Sequence, residues 1–204
     1  MRKEKDFYFK KAKKENYPAR SVYKLEEAHN KYRFLKKGKR ILDLGCHPGS
    51  WSLYTAAEIG PKGTVVGVDL QYTEIEGQKG NAEIHWLCYD VYAEELVQTL
   101  KKQWPGFHVV LSDMAPRTTG SQYADHQHSL RLSRRVLELA RIFLHPKGTL
   151  YCKVFQGADF PEFIQECKPL FETVKVVKPA SSRQESREVF VLARGFRPPA
   201  RKSS

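Results

Sequence analysis

The chain has little that would staple it, anchor it or carry it out of a cell. Among 204 residues there are four cysteines, Cys46, Cys88, Cys152 and Cys167. None form a Cys-x-x-Cys pair and their spacing fits no zinc site, so neither a disulfide framework nor a metal cluster is expected. Three of them lie in or beside apolar strand-like runs, as reduced buried thiols do in a cytosolic protein. His126-x-His128 lacks the carboxylates a metal site would need and is read as a surface loop. No apolar run approaches the roughly 20 residues needed to span a bilayer. Met1-Arg2-Lys3-Glu4-Lys5-Asp6 contains no apolar stretch of the secretory kind, so a cytoplasmic location is expected. Internal repeats and low-complexity blocks are also missing. What remains is a chain sized for one globular domain, 41% hydrophobic.

Acidic residues are scarce at the ends. The chain carries 35 Lys+Arg against 23 Asp+Glu, a net charge of +12. Residues 1–40 hold 15 basic and 5 acidic side chains, and residues 178–204 hold 7 and 2. The stretch 41–177 is slightly acidic, with 13 and 16. A basic surface added to an ordinary acidic core suggests a polyanionic partner, most simply nucleic acid. A membrane surface is disfavoured, because the N-terminal segment shows no clear lipid-insertion face.

From residue 40 onward, short β-rich runs alternate with helical patterns. Strands are expected at 40–44, 64–70, 83–89, 108–113, 149–155, 173–178 and 188–194. Helices are expected at 21–31, 50–59, 93–102, 126–143 and 161–168. Continuous apolar runs such as Val65-Val66-Gly67-Val68 suit a parallel sheet covered on both faces. The pattern predicts an α/β, doubly wound sheet. Only about ten residues join the last two strands, too few for a helical crossover, so these two should form an antiparallel hairpin. A single domain spanning 1–204 is expected, with 1–39 a basic N-terminal extension and 196–204 a flexible basic tail.

The segment Asp43-Leu44-Gly45-Cys46-His47-Pro48-Gly49-Ser50-Trp51-Ser52 reads as strand, glycine turn and helix, with Ser50 as a candidate N-cap. In open α/β sheets ligands bind where such loops leave the carboxyl ends of strands. The glycines follow Gly-x-x-x-Gly rather than Gly-x-Gly-x-x-Gly, and Pro48 removes a backbone donor that a pyrophosphate cradle would use. NAD and FAD are therefore disfavoured. S-adenosylmethionine, which has no phosphates, fits better. Asp69 ends the second strand, placed to accept from ribose hydroxyls, and Asp90 ends the third, near where an adenine amino group would lie. Each carboxylate alone also reads as a turn or helix cap.

Three charged residues intrude on runs that should be apolar. Asp113 follows Val109-Val110-Leu111-Ser112, Lys153 sits within Tyr151-Cys152-Lys153-Val154, and Glu188 opens Glu188-Val189-Phe190-Val191. Desolvating them is costly unless they are paired. All three fall on the cofactor edge of the sheet. Neighbouring strands, ~4.8 Å apart, would bring them together. A sheet-edge salt bridge is the simpler reading of each alone.

At these residues the chain resembles the FtsJ/RrmJ ribose 2′-O-methyltransferases, a class I, Rossmann-like family. The resemblance runs through Arg20-Ser21-x-Tyr23-Lys24-Leu25, Asp43-Leu44-Gly45-Cys46-x-Pro48-Gly49-x-Trp51-Ser52 and Leu111-Ser112-Asp113-Met114-Ala115-Pro116. It continues through Lys153-Val154-Phe155-Gln156-Gly157, Lys178-Pro179-x-Ser181-Ser182-Arg183 and Ser186-Arg187-Glu188-Val189. It implies a seven-stranded, mostly parallel sheet in which the strands of Asp113, Lys153 and Glu188 are neighbours, and a catalytic tetrad of Lys24, Asp113, Lys153 and Glu188. It also implies cofactor contacts from Gly45, Gly49, Trp51, Asp69, Asp90 and Asp113, no metal, and a monomer. Two positions depart from the family loop. His47 stands where Ala is usual and Ser50 where Gly is usual, and His47 either alters cofactor contacts or fills space.

The implied reaction moves a methyl group from S-adenosylmethionine to a ribose 2′-hydroxyl, most simply of a uridine in large-subunit rRNA. A tRNA target, or a non-catalytic ribosome assembly factor, is the alternative. Methylation of a base or a protein is disfavoured, because Asp113-Met114-Ala115-Pro116 lacks an aromatic stacker. Lys153 is the proton acceptor or the group that orients the hydroxyl. A lysine accepts protons at neutral pH only where its surroundings favour the neutral amine by about 4 kcal/mol. Lys10, Lys11, Lys13, Lys14 and Arg20 are expected to hold RNA phosphates, with Tyr8, Phe9 and Tyr17 available to stack on bases.

Overall fold

The fold was analysed in a computed structural model, which describes residues 2–73, 75–116, 119–183 and 185–199; side chains are described from residue 7 onward. Among the described residues seven strands form one sheet, β1 (Arg40–Leu44), β2 (Thr64–Asp69), β3 (Glu83–Cys88), β4 (Phe107–Ser112), β5 (Leu144–Phe155), β6 (Phe171–Val177) and β7 (Glu188–Phe196). Their order is β3-β2-β1-β4-β5-β7-β6. The first five are parallel, and β7 runs antiparallel between β5 and β6. The expected antiparallel hairpin is present, with β7 inserted into the sheet and β6 at the edge. Burial follows that order. Central β1, β2 and β4 are almost wholly buried, while edge strands β3 and β6 are not.

The described residues also form six α-helices: α1 (Arg2–Lys14), α2 (Val22–Tyr32), α3 (Ser50–Ile59), α4 (Glu94–Gln103), α5 (Gln122–Phe143) and α6 (Phe160–Cys167). Side chains alternate across each strand, so two cores form. Leu42, Val66, Val110, Leu150 and Val191 pack with α4, α5 and α6. Ile41, Val65, Leu111, Tyr151 and Phe190 pack with α2 and α3 on the other face.

Several expectations change. Helix α1 is an addition to the expected helices; among its described side chains Ala12 is buried and Tyr8 packs against Tyr23. Residues 1–39 are not a separate extension, because Val22, Tyr23, Leu25 and Ala28 of α2 are core residues. Strand β5 begins at Leu144 rather than residue 149, with an irregularity in its pairing to β4 between Phe107 and Val109. Phe196 is buried and Arg197 N–H donates to Leu170 O, so the expected tail does not start at 196; residues 200–204 lie outside the described residues. His126-x-His128 is on α5, not a loop. His126 is buried, its Nε2 receives the Asp159 N–H at 3.3 Å and its Nδ1 lies 2.9 Å from Phe155 O. Both ring nitrogens face backbone groups. Cys46, Cys152 and Cys167 are buried, and Cys88 is exposed. No helix among the described residues is long and apolar enough to cross a membrane.

Candidate active site

Parity on the strands decides which charged groups meet. Lys153 lies two residues from Tyr151, and Glu188 two from Phe190, so all four face the side covered by α2. Asp113 follows Leu111 in the same parity just past the end of β4. Helix α2 lies over this edge, and Tyr151 Oη donates to Lys24 O at 3.1 Å. Below it Trp51, Tyr151 and Phe190 stack in series, with centroids 5.7 and 4.8 Å apart.

The four expected residues converge there. Lys153 Nζ donates to the Asp113 backbone carbonyl at 2.5 Å and lies 2.9 Å from Asp113 Oδ1 and 3.8 Å from Glu188 Oε2. Lys24 Nζ lies 2.8 Å from Glu188 Oε1 and 3.6 Å from Asp113 Oδ1. Two cations and two carboxylates thus alternate, each charge within reach of both opposite charges. The Lys153 side chain is 6% exposed and that of Lys24 15%. Such a group is far from an isolated sheet-edge bridge. It stays near a solvent-accessible edge while remaining mutually neutralised.

The glycine loop lies beside it. Gly45 has φ +79°, and a Cβ there would collide with the Met114 side chain. Gly49 has φ +106°, and a Cβ would come within 2.8 Å of Ile75 Cδ1. Both positions need glycine for conformation and for space. Asp69 receives the His47 N–H at 3.1 Å on Oδ2 and the Gln71 N–H at 2.9 Å on Oδ1, leaving each oxygen a further lone pair. Asp90 Oδ1 receives the Tyr92 N–H at 2.9 Å and is exposed. Asp43 is fully buried, takes a 2.6 Å hydrogen bond from Ser52 Oγ on one oxygen, and has no hydrogen-bond partner on the other. Burial pushes its carboxyl up to about 7, further raised by Asp113 and Asp69 and opposed by the Ser52 bond.

Ser50 does not cap α3; Gly49 is the N-cap, and Ser50 Oγ instead accepts the Ala19 N–H at 2.7 Å. Trp51, expected as a cofactor contact, is buried, stacks on Tyr151 and donates its indole N–H to Ser21 O at 2.8 Å. His47 does not fill space. It is exposed, with Nδ1 3.0 Å from Thr73 Oγ1, joining the glycine loop to the segment after β2. Among the expected phosphate ligands, Lys10, Lys13 and Lys14 are exposed, Arg20 is half-buried, and Lys11 is engaged with Glu26 at 3.5 Å and over the Tyr23 ring. Tyr8 and Tyr17 are half-buried, while Phe7 and Phe9 are more than 60% exposed. Two further residues meet this group from outside the tetrad: Ser182 Oγ donates to Glu188, and Glu27 receives the Ala180 and Ser181 N–H groups. The resemblance included Ser182 without a role, and a single glutamate in a helix carries no periodic signal.

A parallel α/β sheet with an antiparallel penultimate strand, a glycine loop and acidic strand ends define an α/β methyltransferase. The chain belongs to the FtsJ-like methyltransferase family, whose model matches residues 17–196. It is 53% identical to the Ribosomal RNA large subunit methyltransferase E of Desulfotalea psychrophila, covering 98% of this chain and 99% of that one. The protein of the same name from Syntrophobacter fumaroxidans is 46% identical, covering 95% and 96%. A solved structure from Plasmodium falciparum, described as a ribosomal RNA methyltransferase, superimposes with TM-score 0.76 at 27% identity over 88% of this chain and 98% of that one. The fold is also that of the Aeropyrum pernix fibrillarin that carries natively bound S-adenosyl-L-methionine, with TM-score 0.60 at 18% identity over 85% and 76%.

Proposed function

We propose that the protein transfers the methyl group of S-adenosylmethionine to a ribose 2′-hydroxyl of large-subunit rRNA, at a uridine, acting as a cytoplasmic monomer. The observation that carries this is the alternating cluster of Lys24, Asp113, Lys153 and Glu188 at the carboxyl edge of the sheet. Large-subunit rRNA as the substrate is taken from the names of the 53% and 46% identical relatives.

The loop residues fit the cofactor. Gly45 and Gly49 leave backbone where a side chain could not stand, Asp69 and Asp90 offer carboxylates at successive strand ends, and Asp113 lies next to the loop through Met114. When bound, S-adenosylmethionine supplies an electrophilic methyl group. The protein supplies position and electrostatics. Asp113 and Glu188 fix Lys153, which meets the hydroxyl, and Lys24 neutralises the carboxylates from above. Lys10, Lys13, Lys14 and Arg20 hold phosphates on the α1 side, and Lys11 holds Tyr23 and Glu26 instead.

Lys153→Arg keeps the charge but cannot give up a proton. Single-turnover transfer should fall about 10²–10⁴-fold if Lys153 accepts the proton; a near-normal rate would leave it an orienting charge. The function itself is tested by incubating the protein with labelled S-adenosylmethionine and large-subunit rRNA. Label on a ribose, in a dinucleotide resistant to alkaline hydrolysis, is the expected result. Label on a base, or on tRNA alone, would sink the proposal.

A further inference from the structure

Glu27 lies on α2 three residues beyond Lys24, one turn along the same face. Its carboxylate receives two successive backbone N–H groups of the connection between β6 and β7, Ala180 at 2.6 Å and Ser181 at 3.0 Å. Tyr8 Oη adds a longer contact at 3.5 Å. Bonds from backbone N–H to an ionised carboxylate are among the stronger hydrogen bonds in proteins. They fix a turn closed by the Ser182 N–H on Pro179 O at 3.1 Å. Ser182 is buried at the end of that turn and donates its hydroxyl to Glu188 Oε1 at 2.9 Å. Lys24 Nζ lies 2.8 Å from that oxygen and donates to the other, Oε2, at 2.9 Å. One helix therefore supplies a tetrad lysine and anchors the loop that orients that lysine's partner.

We propose that Glu27 and Ser182 are positioning residues for methyl transfer. Glu27 fixes the β6–β7 connection, and Ser182 then holds the Glu188 carboxylate where it bridges Lys24 and Lys153. Neither touches the reacting hydroxyl; each acts through Glu188. The inference rests on the methyl-transfer reading of the site.

The test compares Ser182→Ala, Ser182→Thr and Glu27→Gln with the wild type at saturating RNA and cofactor. Ser182→Ala should lower kcat about ten- to a hundredfold, with KM for RNA and cofactor within about twofold, because the ground-state surfaces are untouched. Its pH profile should be displaced, since Glu188 sits differently between the lysines. Ser182→Thr, which keeps the hydroxyl, should recover most of the rate. In a Glu188→Gln background Ser182→Ala should add nothing, as expected for residues acting as a unit. Glu27→Gln should give a loss that does not add to that of Ser182→Ala. The side-chain NMR resonances of Lys24 and Lys153 should also move in Ser182→Ala, whatever the activity. Full kcat with an unmoved pH profile in Ser182→Ala, or additivity with Glu188→Gln, would overturn the proposal. Unmoved lysine resonances would do so as well, even if no RNA were methylated by the wild type. A wild type that methylates no RNA, with lysine resonances that do move, would instead count against the functional reading.

Discussion

At the residue scale, the sequence marks polar groups in apolar surroundings, and packing decides what each does. Lys153 and Glu188 stand out because charge interrupts β-rich runs, and the structure pairs them. Asp43 stands in an equally buried run with only one oxygen hydrogen-bonded. Its carboxyl is raised to about 7 by burial, from roughly 3.9 in an unfolded chain. The folded state therefore holds this proton over a range where the unfolded state has lost it. Asp43 favours the fold fully below about pH 4, and that contribution is lost as pH rises through about 7. Asp43→Asn should flatten the decline in unfolding free energy between pH 4 and 7, measured by urea titration of the protein alone. An unchanged slope would remove Asp43 as its source.

Gly157 shows a different constraint. A Cβ there would come within 2.5 Å of the His126 ring, which is locked between Phe155 O and Asp159 N–H. Overpacking of this kind costs about 1–3 kcal/mol. Gly157→Ala should lower the urea midpoint accordingly; a midpoint equal to that of the wild type would mean that the ring yields. From sequence, the histidine pair just past Gln122 reads as polar and exposed. Only the packing of α5 on β5 turns one of the two inward.

At the element scale, α1 and α2 divide the basic N-terminal region. Helix α2 is legible as a helix, yet its apolar residues are core, which charge counting conceals. Helix α1 has no such pattern, and its mean composition is dominated by lysine. Among its described side chains, one narrow stripe ties it to the body. Tyr8 rests on Tyr23, Lys11 spans to Glu26, and Tyr23 Oη donates to Glu15 at 2.9 Å. That leaves Lys10, Lys13 and Lys14 exposed together with Phe7 and Phe9. Replacing these three lysines by alanine should weaken RNA binding and reduce its salt slope, by about 0.7 for each single-strand phosphate that is no longer neutralised. Lys11→Ala should act mainly on stability. If filter binding at several salt concentrations gave Lys11→Ala the same slope change as an exposed lysine, the division of α1 into packing and binding faces would fail. Phe9→Ala, rather than Tyr17→Ala, should weaken binding to single-stranded RNA, since base stacking needs an exposed ring.

At the scale of the whole molecule, basic ends flank a middle segment that is slightly acidic. Binding a polyanion to the folded state alone raises apparent stability by mass action. Heparin should therefore raise the thermal midpoint at low salt, and the gain should vanish as salt screens the charges. A gain that persists in high salt would point to an interaction that is not electrostatic.

The sequence by itself determined the alternation of strands and helices, the antiparallel close and the charged residues that break the apolar runs. These are local properties: side-chain period, chain length between strands and the cost of burying charge. The family resemblance added the sheet order and the fourth member, Lys24. Only the tertiary structure decided that Ser50 ties a linker instead of capping a helix, that Trp51 belongs to an aromatic stack, and that Glu27 and Ser182 support Glu188. Those assignments depend on partners 31, 30, 153 and 6 residues away along the chain. No local pattern encodes which of many possible acceptors a hydroxyl, an indole or a carboxylate will meet once the sheet has closed.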